Sequence, residues 1–171
     1  HLTHLYNAMP GIHHRHPGPI GAASERESVT AELICDGFHI HPAALRVAFS
    51  QMGEDGTVIV SDSMCAAGHK DGEYDLGGQT VYVRDGKALL ADGTIAASTS
   101  NMYDELKNVI SYGVPMKQAV KSATINPAKS IRVDDVTGSI KTGKLADLLV
   151  LDDELNIKLV MVRGQIKVNN L

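Results

Sequence analysis

Residues 56–65, GTVIVSDSMC, contain the strand around which the rest of the chain is arranged. Val58, Ile59 and Val60 form a short β-branched run, which is typical of a strand buried on both faces. Asp62 follows at the point where such a strand would end. Because the chemistry of parallel sheets lies beyond the carboxyl ends of their strands, this carboxylate is a candidate catalytic or metal-binding group. A turn or helix-cap aspartate is the alternative that the stretch alone leaves open.

The composition is that of an ordinary globular protein. The 171 residues are 43% hydrophobic with a mean hydropathy of -0.06, which suffices for one substantial core. No apolar run is long enough to cross a bilayer, so no membrane partner is expected. The net charge of -4 and the absence of a basic cluster argue against a nucleic-acid partner. Cys35 and Cys65 have no CxxC spacing, which predicts reduced thiols and a cytoplasmic location.

The first part of the chain is predicted to form parallel strands connected by a helix. The predicted elements are strands over 1–7 and 30–35, a helix over 43–52 and the central strand over 57–62. A strand, a helix and a strand within about thirty residues form a βαβ unit, which implies parallel strands. Residues 10–21 are rich in Gly and Pro and predict an exposed loop.

The second part is predicted to form hairpins, then helices, then a small β domain. Asp-Gly turns are strong hairpin signals, and they lie between predicted short strands over 79–84, 87–90 and 93–96. Helices are predicted over 101–112 and 115–123, with a short third helix after Asn126-Pro127. The closing strands are predicted over 138–140, 148–151, 157–162 and 165–168.

Histidines concentrate near the start of the chain, where seven of the eight fall within the first 41 residues. Because histidine is the commonest metal ligand and the usual acid or base near neutral pH, a polar site is expected there. For His4 alone, the residue pattern favours a hydrogen-bonded core histidine over a metal ligand, since a metal site needs three or four ligands. Arg15 lies in HHRH at 13–16, where its planar fork could bind a phosphate or carboxylate or lie in a solvated turn.

Six stretches resemble a known family. They are THLYNAMP at 3–10, CDGFHIHP at 35–42, VSDSMCAAG at 60–68, GTIAAST at 93–99, SATINPAK at 122–129 and GSIKTGKLADLLVLD at 138–152. In order along the chain they resemble the N-acetylglucosamine-6-phosphate deacetylases, a branch of the metal-dependent amidohydrolase superfamily. The resemblance implies an α/β fold in two parts. These are the C-terminal portion of a (β/α)8 TIM-like barrel over 1–131, with a β-hairpin insertion near 75–97, and strands of a small β-sandwich over 132–171.

The resemblance also implies roles for individual residues. His4 is similar to a metal-ligand histidine, Asp62 resembles the catalytic aspartate, and His39 resembles a catalytic histidine that contacts the sugar and polarises the amide carbonyl. Arg15 resembles an arginine that binds phosphate in the neighbouring subunit's site, which implies a homodimer. Substrate contacts are implied for Asn7, Ala8, Arg15, Asp36, Gly37, Phe38, His39 and a substrate-lining turn of Ile95, Ala96 and Ala97.

The implied reaction is the metal-dependent hydrolysis of N-acetylglucosamine 6-phosphate to glucosamine 6-phosphate and acetate, a step of amino-sugar metabolism. A divalent metal ion, zinc or iron, held partly by His4 would activate water, and Asp62 would pass its proton to the amine. The family takes a further Glu and His from earlier strands, so one alternative is an inactive fragment that lacks those ligands. Another amidohydrolase, such as a cyclic amidase or deaminase, is the other alternative. Arg15 and Asn7 argue against it, since a neutral substrate has little use for a phosphate clamp.

Overall fold

The computed structural model describes residues 1–171, which contain five helices and three separate sheets. The chain forms two compact units, His1–Ala123 and Thr124–Leu171. None of its helices has the length and apolar character that crossing a membrane requires.

A small parallel layer lies at the centre of the first unit. Strand β1 (Ala31–Leu33) pairs in parallel with β2 (Thr57–Ile59), and helix α2 (Pro42–Met52) connects them. All three residues of β2 are buried, as its β-branched composition predicts. Along the opposite edge of β1, Leu2 forms a parallel bridge with Ala31. The predicted βαβ unit is therefore confirmed.

The strand predicted over 1–7 is wrong beyond Leu2. The Leu5 N–H still donates to the Glu32 carbonyl oxygen (2.8 Å), so the segment stays beside β1. His4, Tyr6 and Ala8, however, have positive φ angles of 36°, 78° and 51°. A residue in this region cannot continue an extended strand, so the chain turns and presents these side chains in a tight loop.

The first unit also contains helices α1 and α2, whose first turns follow from the local sequence. Helix α1 (Gly18–Ser24) lies partly within the loop predicted over 10–21, with Pro19 in its first turn, where an N–H is not needed. Helix α2 is capped by His41, whose ring nitrogen Nδ1 accepts a hydrogen bond from the Ala43 N–H (3.1 Å). Leu45, Ala48 and Phe49 form its packed face, whereas Val47 is 62% exposed.

The core of the first unit packs the parallel layer against α2, α3 (Met102–Ser111) and α4 (Met116–Ala123). Burying a large aliphatic or aromatic side chain contributes roughly 1.5–3 kcal/mol, and this cluster accounts for most such burial. Its fully buried members include Leu5, Leu33, Cys35, Leu45, Phe49, Ile59, Val109 and Ala119.

A four-stranded antiparallel sheet, here called the hairpin sheet, follows β2. It comprises β3 (Gly72–Leu76), β4 (Gln79–Arg84), β5 (Lys87–Leu89) and β6 (Ile95–Ala97), paired in chain order around a small core of its own. The sequence analysis missed β3. Gly77 and Gly78 both have positive φ, at 61° and 85°, and this Gly-Gly pair is the hairpin signal that identifies it.

The second unit contains helix α5 (Ile125–Ser130) and an antiparallel sheet of β7 (Leu148–Leu151), β8 (Ile157–Val162) and β9 (Gln165–Asn169). The predictions for β7 and β8 are confirmed. The strand predicted over 138–140 is wrong, because Gly138 has φ +82° and packs so closely on α5 that a Cβ would lie 2.7 Å from that of Ala128. Helix α5 also begins earlier than predicted, since Pro127 fits within its first turn.

Candidate active site

Residues from three segments come to one edge of the parallel layer. His4 lies shortly past Leu2, the 35–39 loop follows β1, and Asp62 follows β2. Because parallel strands end at the same edge, the layer places these three segments together. Active sites of parallel sheets are built at this edge from the loops that follow the strands.

The last strand of the hairpin sheet also reaches this edge. The Ser98 N–H donates to the Asp62 carbonyl oxygen and the Met64 N–H donates to the Ser98 carbonyl oxygen, both at 3.0 Å. Ile95, Ala96 and Ala97 therefore form β6 rather than the turn expected from the resemblance, and β6 ends beside Asp62. The hairpin sheet is thus hydrogen-bonded to the segment that carries Asp62, through the residue that follows β6.

Asp62 occupies an unusual backbone conformation. Its φ angle is +48°, which is uncommon for a residue other than glycine. No helix begins there, because the next element along the chain is β3, so the helix-cap interpretation is excluded. This conformation occurs in turns, as at Asp85 in the hairpin sheet with φ +50°, and also at functional sites.

His4 presents one ring nitrogen outward from a short turn. Its Nδ1–H donates to the Asn7 carbonyl oxygen (3.1 Å), and the Asn7 N–H donates back to the His4 carbonyl oxygen (2.9 Å). The Asn7 side chain in turn donates to the Leu5 carbonyl oxygen (3.4 Å). Metal-binding histidines usually donate their second N–H to such a carbonyl, which leaves Nε2 available as a ligand.

The 35–39 loop is organised around the Asp36 carboxylate. One oxygen accepts hydrogen bonds from the backbone N–H groups of Phe38 and His39, both at 2.8 Å, and the other accepts from the His39 Nδ1–H at 2.7 Å. Burial alone raises the pKa of Asp36, but the hydrogen bonds from His39 and Phe38 outweigh it and hold this pKa below its ordinary value. Asp36 thus fixes the His39 tautomer and leaves Nε2 free.

Behind this loop lies a carboxyl group that the sequence analysis missed. Glu105 in α3 is fully buried, and its Oε2 accepts a hydrogen bond from the Cys35 N–H. Burial raises the pKa of Glu105 to about 8, the Asp36 charge adds to the effect, and bonds from Ser100 and Cys35 oppose it. Glu105 lies four residues before the buried Val109, but a carboxylate in a helix usually indicates a solvated face, so this spacing did not identify it.

The cysteines differ in environment, and neither is in a disulfide. Cys35 is buried and Cys65 is exposed. Burial, with the Glu105 and Asp36 charges, raises the pKa of the Cys35 thiol, so this sulfur stays protonated and unreactive.

Two further predicted substrate residues have distinct surroundings. Gly37 has φ +76°, and a Cβ there would lie 2.3 Å from the Tyr112 hydroxyl oxygen, so only glycine fits. Phe38 lies edge-on to His39 with ring centroids 5.9 Å apart, and the Lys87 Nζ lies 5.0 Å from the Phe38 centroid. The loop therefore contacts both α3 and the hairpin sheet.

Arg15 lies in an exposed loop and contacts its immediate neighbours. Its guanidinium donates to the His14 Nε2 (2.6 Å), and its backbone N–H donates to the His13 Nδ1 (3.3 Å). The rings of His13 and His16 stack with centroids 5.8 Å apart. None of these contacts joins Arg15 to His4, His39 or Asp62.

The chain on its own does not complete a metal centre. No three His, Cys, Asp or Glu side chains converge into a group that could hold a metal ion. The His4 ring fits a single ligand, and a catalytic site needs two or more further protein donors. A cavity of about 430 Å3 on the hairpin sheet, lined by residues including Tyr82, Arg84 and Leu90, contains none of the candidate residues. The candidate site is therefore an open edge rather than that cavity.

A layer of parallel strands with a histidine, an Asp–His pair and a strained aspartate at one edge defines an α/β protein with an enzyme-type site. Comparison with known protein families identifies the family to which this chain belongs. The amidohydrolase family model matches residues 4–167. The chain belongs to the amidohydrolase family.

Similar proteins are deacetylases of acetylated amino-sugar phosphates. N-acetylglucosamine-6-phosphate deacetylase of Bacillus subtilis (strain 168) is 40% identical over 167 residues, which are 97% of this chain and 42% of that protein. Putative N-acetylgalactosamine-6-phosphate deacetylase of Escherichia coli (strain K12) is 37% identical over 164 residues, 95% of this chain and 98% of the relative.

Solved structures agree with these relatives. A mutant N-acetyl-D-glucosamine-6-phosphate deacetylase from Mycobacterium smegmatis, in complex with N-acetyl-D-glucosamine-6-phosphate, matches with a TM-score of 0.92 and 36% identity. The match covers 98% of this chain and 45% of that one. The resemblance to the deacetylases is thereby confirmed, and the chain spans less than half the length of the Bacillus and Mycobacterium proteins.

Proposed function

We propose that this chain supplies a catalytic part of a metal-dependent deacetylase, which hydrolyses N-acetylglucosamine 6-phosphate to glucosamine 6-phosphate and acetate. The observation that supports it best is the placement of His4, the Asp36–His39 pair and Asp62 at one edge of the parallel layer. In this proposal residues 1–131 belong to a (β/α)8 barrel and residues 132–171 to a small β-sandwich. The protein acts in the cytoplasm.

Asp62 is the proton carrier of the proposed reaction. Water forms a new bond to the acetamide carbon and gives a proton to the Asp62 carboxylate. The carbon–nitrogen bond then breaks as Asp62 returns this proton to the departing amine, which cannot leave as an anion. The position of Asp62 supports the role, because the residue follows β2 at the carboxyl end of the parallel layer.

His39 stabilises negative charge on the acetamide oxygen. Its Nδ1–H is committed to the Asp36 carboxylate, so Nε2 is the atom that meets the substrate. When Nε2 donates to the carbonyl oxygen, His39 has both ring protons and Asp36 balances the resulting charge. Such preorganised donors are among the largest contributions to acyl-transfer catalysis.

His4 would hold a divalent metal ion through Nε2, with zinc or iron expected. When bound, this ion supplies Lewis-acid activation of the water and the carbonyl group. The further Glu and His ligands that the resemblance implies would come from the part of the Bacillus relative's length that this chain does not span. The hydrogen bond from the His4 Nδ1–H to Asn7 supports this role, because it sets the required tautomer.

The remaining candidates bind the sugar phosphate. Asn7 and Ala8 lie three and four residues after His4, and the 36–38 segment and β6 lie at the same edge of the parallel layer. Arg15 binds the phosphate in the neighbouring subunit of a homodimer, as the family resemblance implies, and its exposed position is compatible with this role. Binding energy from the phosphate then orients the amide at the reacting groups.

Acetate release by the full-length protein, with and without added divalent metal, tests the proposal. We expect metal-dependent release from N-acetylglucosamine 6-phosphate and far less from the unphosphorylated sugar. Asp62→Asn should lower turnover by roughly a thousandfold with the metal content kept, whereas Asp92→Asn in the hairpin sheet should leave it unchanged. Near-normal turnover of Asp62→Asn would remove Asp62 from this role.

The galacto epimer is a second candidate substrate. It is favoured by the Escherichia coli relative, whose name specifies N-acetylgalactosamine 6-phosphate and whose length this chain nearly covers. Both substrates share the acetamide and the phosphate, so the same residues would act on either. The ratio of kcat/KM for the two epimers decides between them.

A further inference from the structure

Glu105 is a buried carboxyl group that the proposed mechanism does not use. Its residue has 0% of its surface exposed, and its Oε1 atom has no partner that meets hydrogen-bond geometry. Burying a carboxyl group costs free energy that a leucine at the same place would not cost. A carboxyl group at this buried position therefore indicates a role that an apolar side chain cannot perform.

The other carboxyl oxygen accepts the hydrogen bond from the Cys35 N–H, across 70 residues of sequence. Strand β1 ends at Leu33, so this N–H lies beyond the ladder with β2 and needs another acceptor. Glu105 therefore anchors the first residue of the 35–39 loop to α3.

Tyr112, the residue directly after α3, makes a second contact with the same loop. Its hydroxyl packs directly on Gly37, where a Cβ would lie only 2.3 Å away. Tyr112 caps α3 with helical backbone angles and lies about two turns beyond Glu105, so both side chains project from the same side. Asp36, which holds the His39 ring, lies between the two anchored residues.

We propose that Glu105 is a positioning residue that anchors the 35–39 loop to α3 and so fixes the direction in which His39 meets the substrate. The inference rests on the proposed function, which gives His39 its task. A pKa of about 8 supports it, because Glu105 is then neutral at pH 7 and adds no second charge beside Asp36. The Asp36 carboxylate remains the charged partner of His39.

Two variants of the full-length protein separate positioning from packing. Glu105→Leu fills the space without an acceptor for the Cys35 N–H, whereas Glu105→Gln keeps an acceptor. We expect Glu105→Leu to lower kcat by about tenfold or more with KM within about twofold, and Glu105→Gln to recover most of the loss. Because leucine is apolar and of similar size, Glu105→Leu should remain folded.

A double-mutant cycle identifies the route of the effect. If Glu105 acts through His39, Glu105→Leu should change kcat by less than about twofold in a His39→Ala background. The same tenfold loss in both backgrounds would overturn the proposal, as would wild-type kcat in Glu105→Leu.

A readout independent of activity separates this inference from the proposed function. The His39 Nδ1–H, hydrogen-bonded to Asp36, should give a slowly exchanging downfield proton resonance in the wild type and in Glu105→Gln. In Glu105→Leu this resonance should broaden or disappear, and an unchanged resonance would overturn the positioning role. If the wild type releases no acetate, the proposed function is refuted. The positioning role of Glu105 is still tested in that case, because the His39 resonance does not depend on activity.

Discussion

The His39 Nδ1 and Asp36 Oδ2 atoms lie 2.7 Å apart, with side chains only 6% and 13% exposed. Burial alone raises the pKa of Asp36, but the hydrogen bonds hold it below the ordinary 3.8. A lowered folded-state pKa stabilises the protein above the ordinary value, and this stabilisation is lost as the pH falls through the lowered one. We therefore expect Asp36→Asn to flatten the decline in unfolding free energy below about pH 4.

Urea denaturation at several pH values checks this expectation. The exposed Asp153 offers a control, because Asp153→Asn removes a carboxylate that has no comparable set of hydrogen bonds. Acid dependence in Asp36→Asn that runs parallel to that of the wild type would show that the pair does not favour the charged form of Asp36.

Gly37 has no room for a side chain against Tyr112. Its φ is +76° and a Cβ would lie 2.3 Å from the tyrosine hydroxyl, whereas Gly68 has φ +78° and nothing within 4 Å. Both substitutions to alanine carry the backbone strain, but only Gly37→Ala adds the clash. We expect Gly37→Ala to cost about 1–3 kcal/mol more unfolding free energy than Gly68→Ala.

Tyr112→Phe supplies the second half of this test. It removes the hydroxyl oxygen and leaves the ring carbon Cζ at 3.3 Å from the added Cβ. The excess cost of Gly37→Ala should therefore shrink in the Tyr112→Phe background. Equal costs in both backgrounds would place the strain elsewhere in the loop.

The elements predicted correctly are those that local physics determines. The β-branched run of β2, the Pro42 start of α2 and the Asp-Gly turns of the hairpin sheet each follow from nearby sequence. The strand predicted over 1–7 was wrong because alternation of residue types does not reveal the positive φ angles of His4, Tyr6 and Ala8. That conformation depends on the pairing of the segment with β1, a contact that is remote in sequence.

In the candidate site too, contacts between residues close in sequence could be predicted and contacts between remote residues could not. Asp36 and His39 are close in sequence, so their pairing follows from a turn of one loop. Glu105 could not be found this way, because a carboxylate in a helix usually indicates a solvated face and its partner Cys35 is 70 residues away. Tertiary packing alone shows that this face of α3 is buried.

Asn101 stabilises the helix that bears Glu105. Its side-chain oxygen accepts hydrogen bonds from the N–H groups of Tyr103 and Asp104, both at 3.1 Å. Asn101→Ala should lower the unfolding free energy by about 1 kcal/mol, whereas Asn101→Ser retains a capping oxygen and should lose much less. Chemical denaturation of the two variants measures this difference, and equal losses would mean that the cap contributes little.

Lys87 brings a positive charge from the hairpin sheet to the candidate site. Its ammonium lies over the Phe38 ring, next to His39, at 5.0 Å from the ring centroid. Lys87 follows the Asp85-Gly86 turn, which the Thr99 hydroxyl binds through the Gly86 carbonyl oxygen (2.5 Å). A cation placed there attracts an anionic substrate, so Lys87→Met should raise KM for the sugar phosphate about fivefold with kcat little changed.

Lys107 provides the matched control, since its ammonium lies 5.1 Å from the Tyr103 ring centroid on the surface of α3. Lys107→Met removes the same charge and the same kind of contact away from the 35–39 loop, and should leave KM unchanged. Added salt should reduce the difference between Lys87→Met and the wild type, because exposed charges are screened within about 10 Å at 0.1 M salt. An unchanged KM in Lys87→Met would mean that the Lys87 charge does not attract the substrate. An equal rise in Lys107→Met would mean that the Lys87 charge acts no differently from others on the surface.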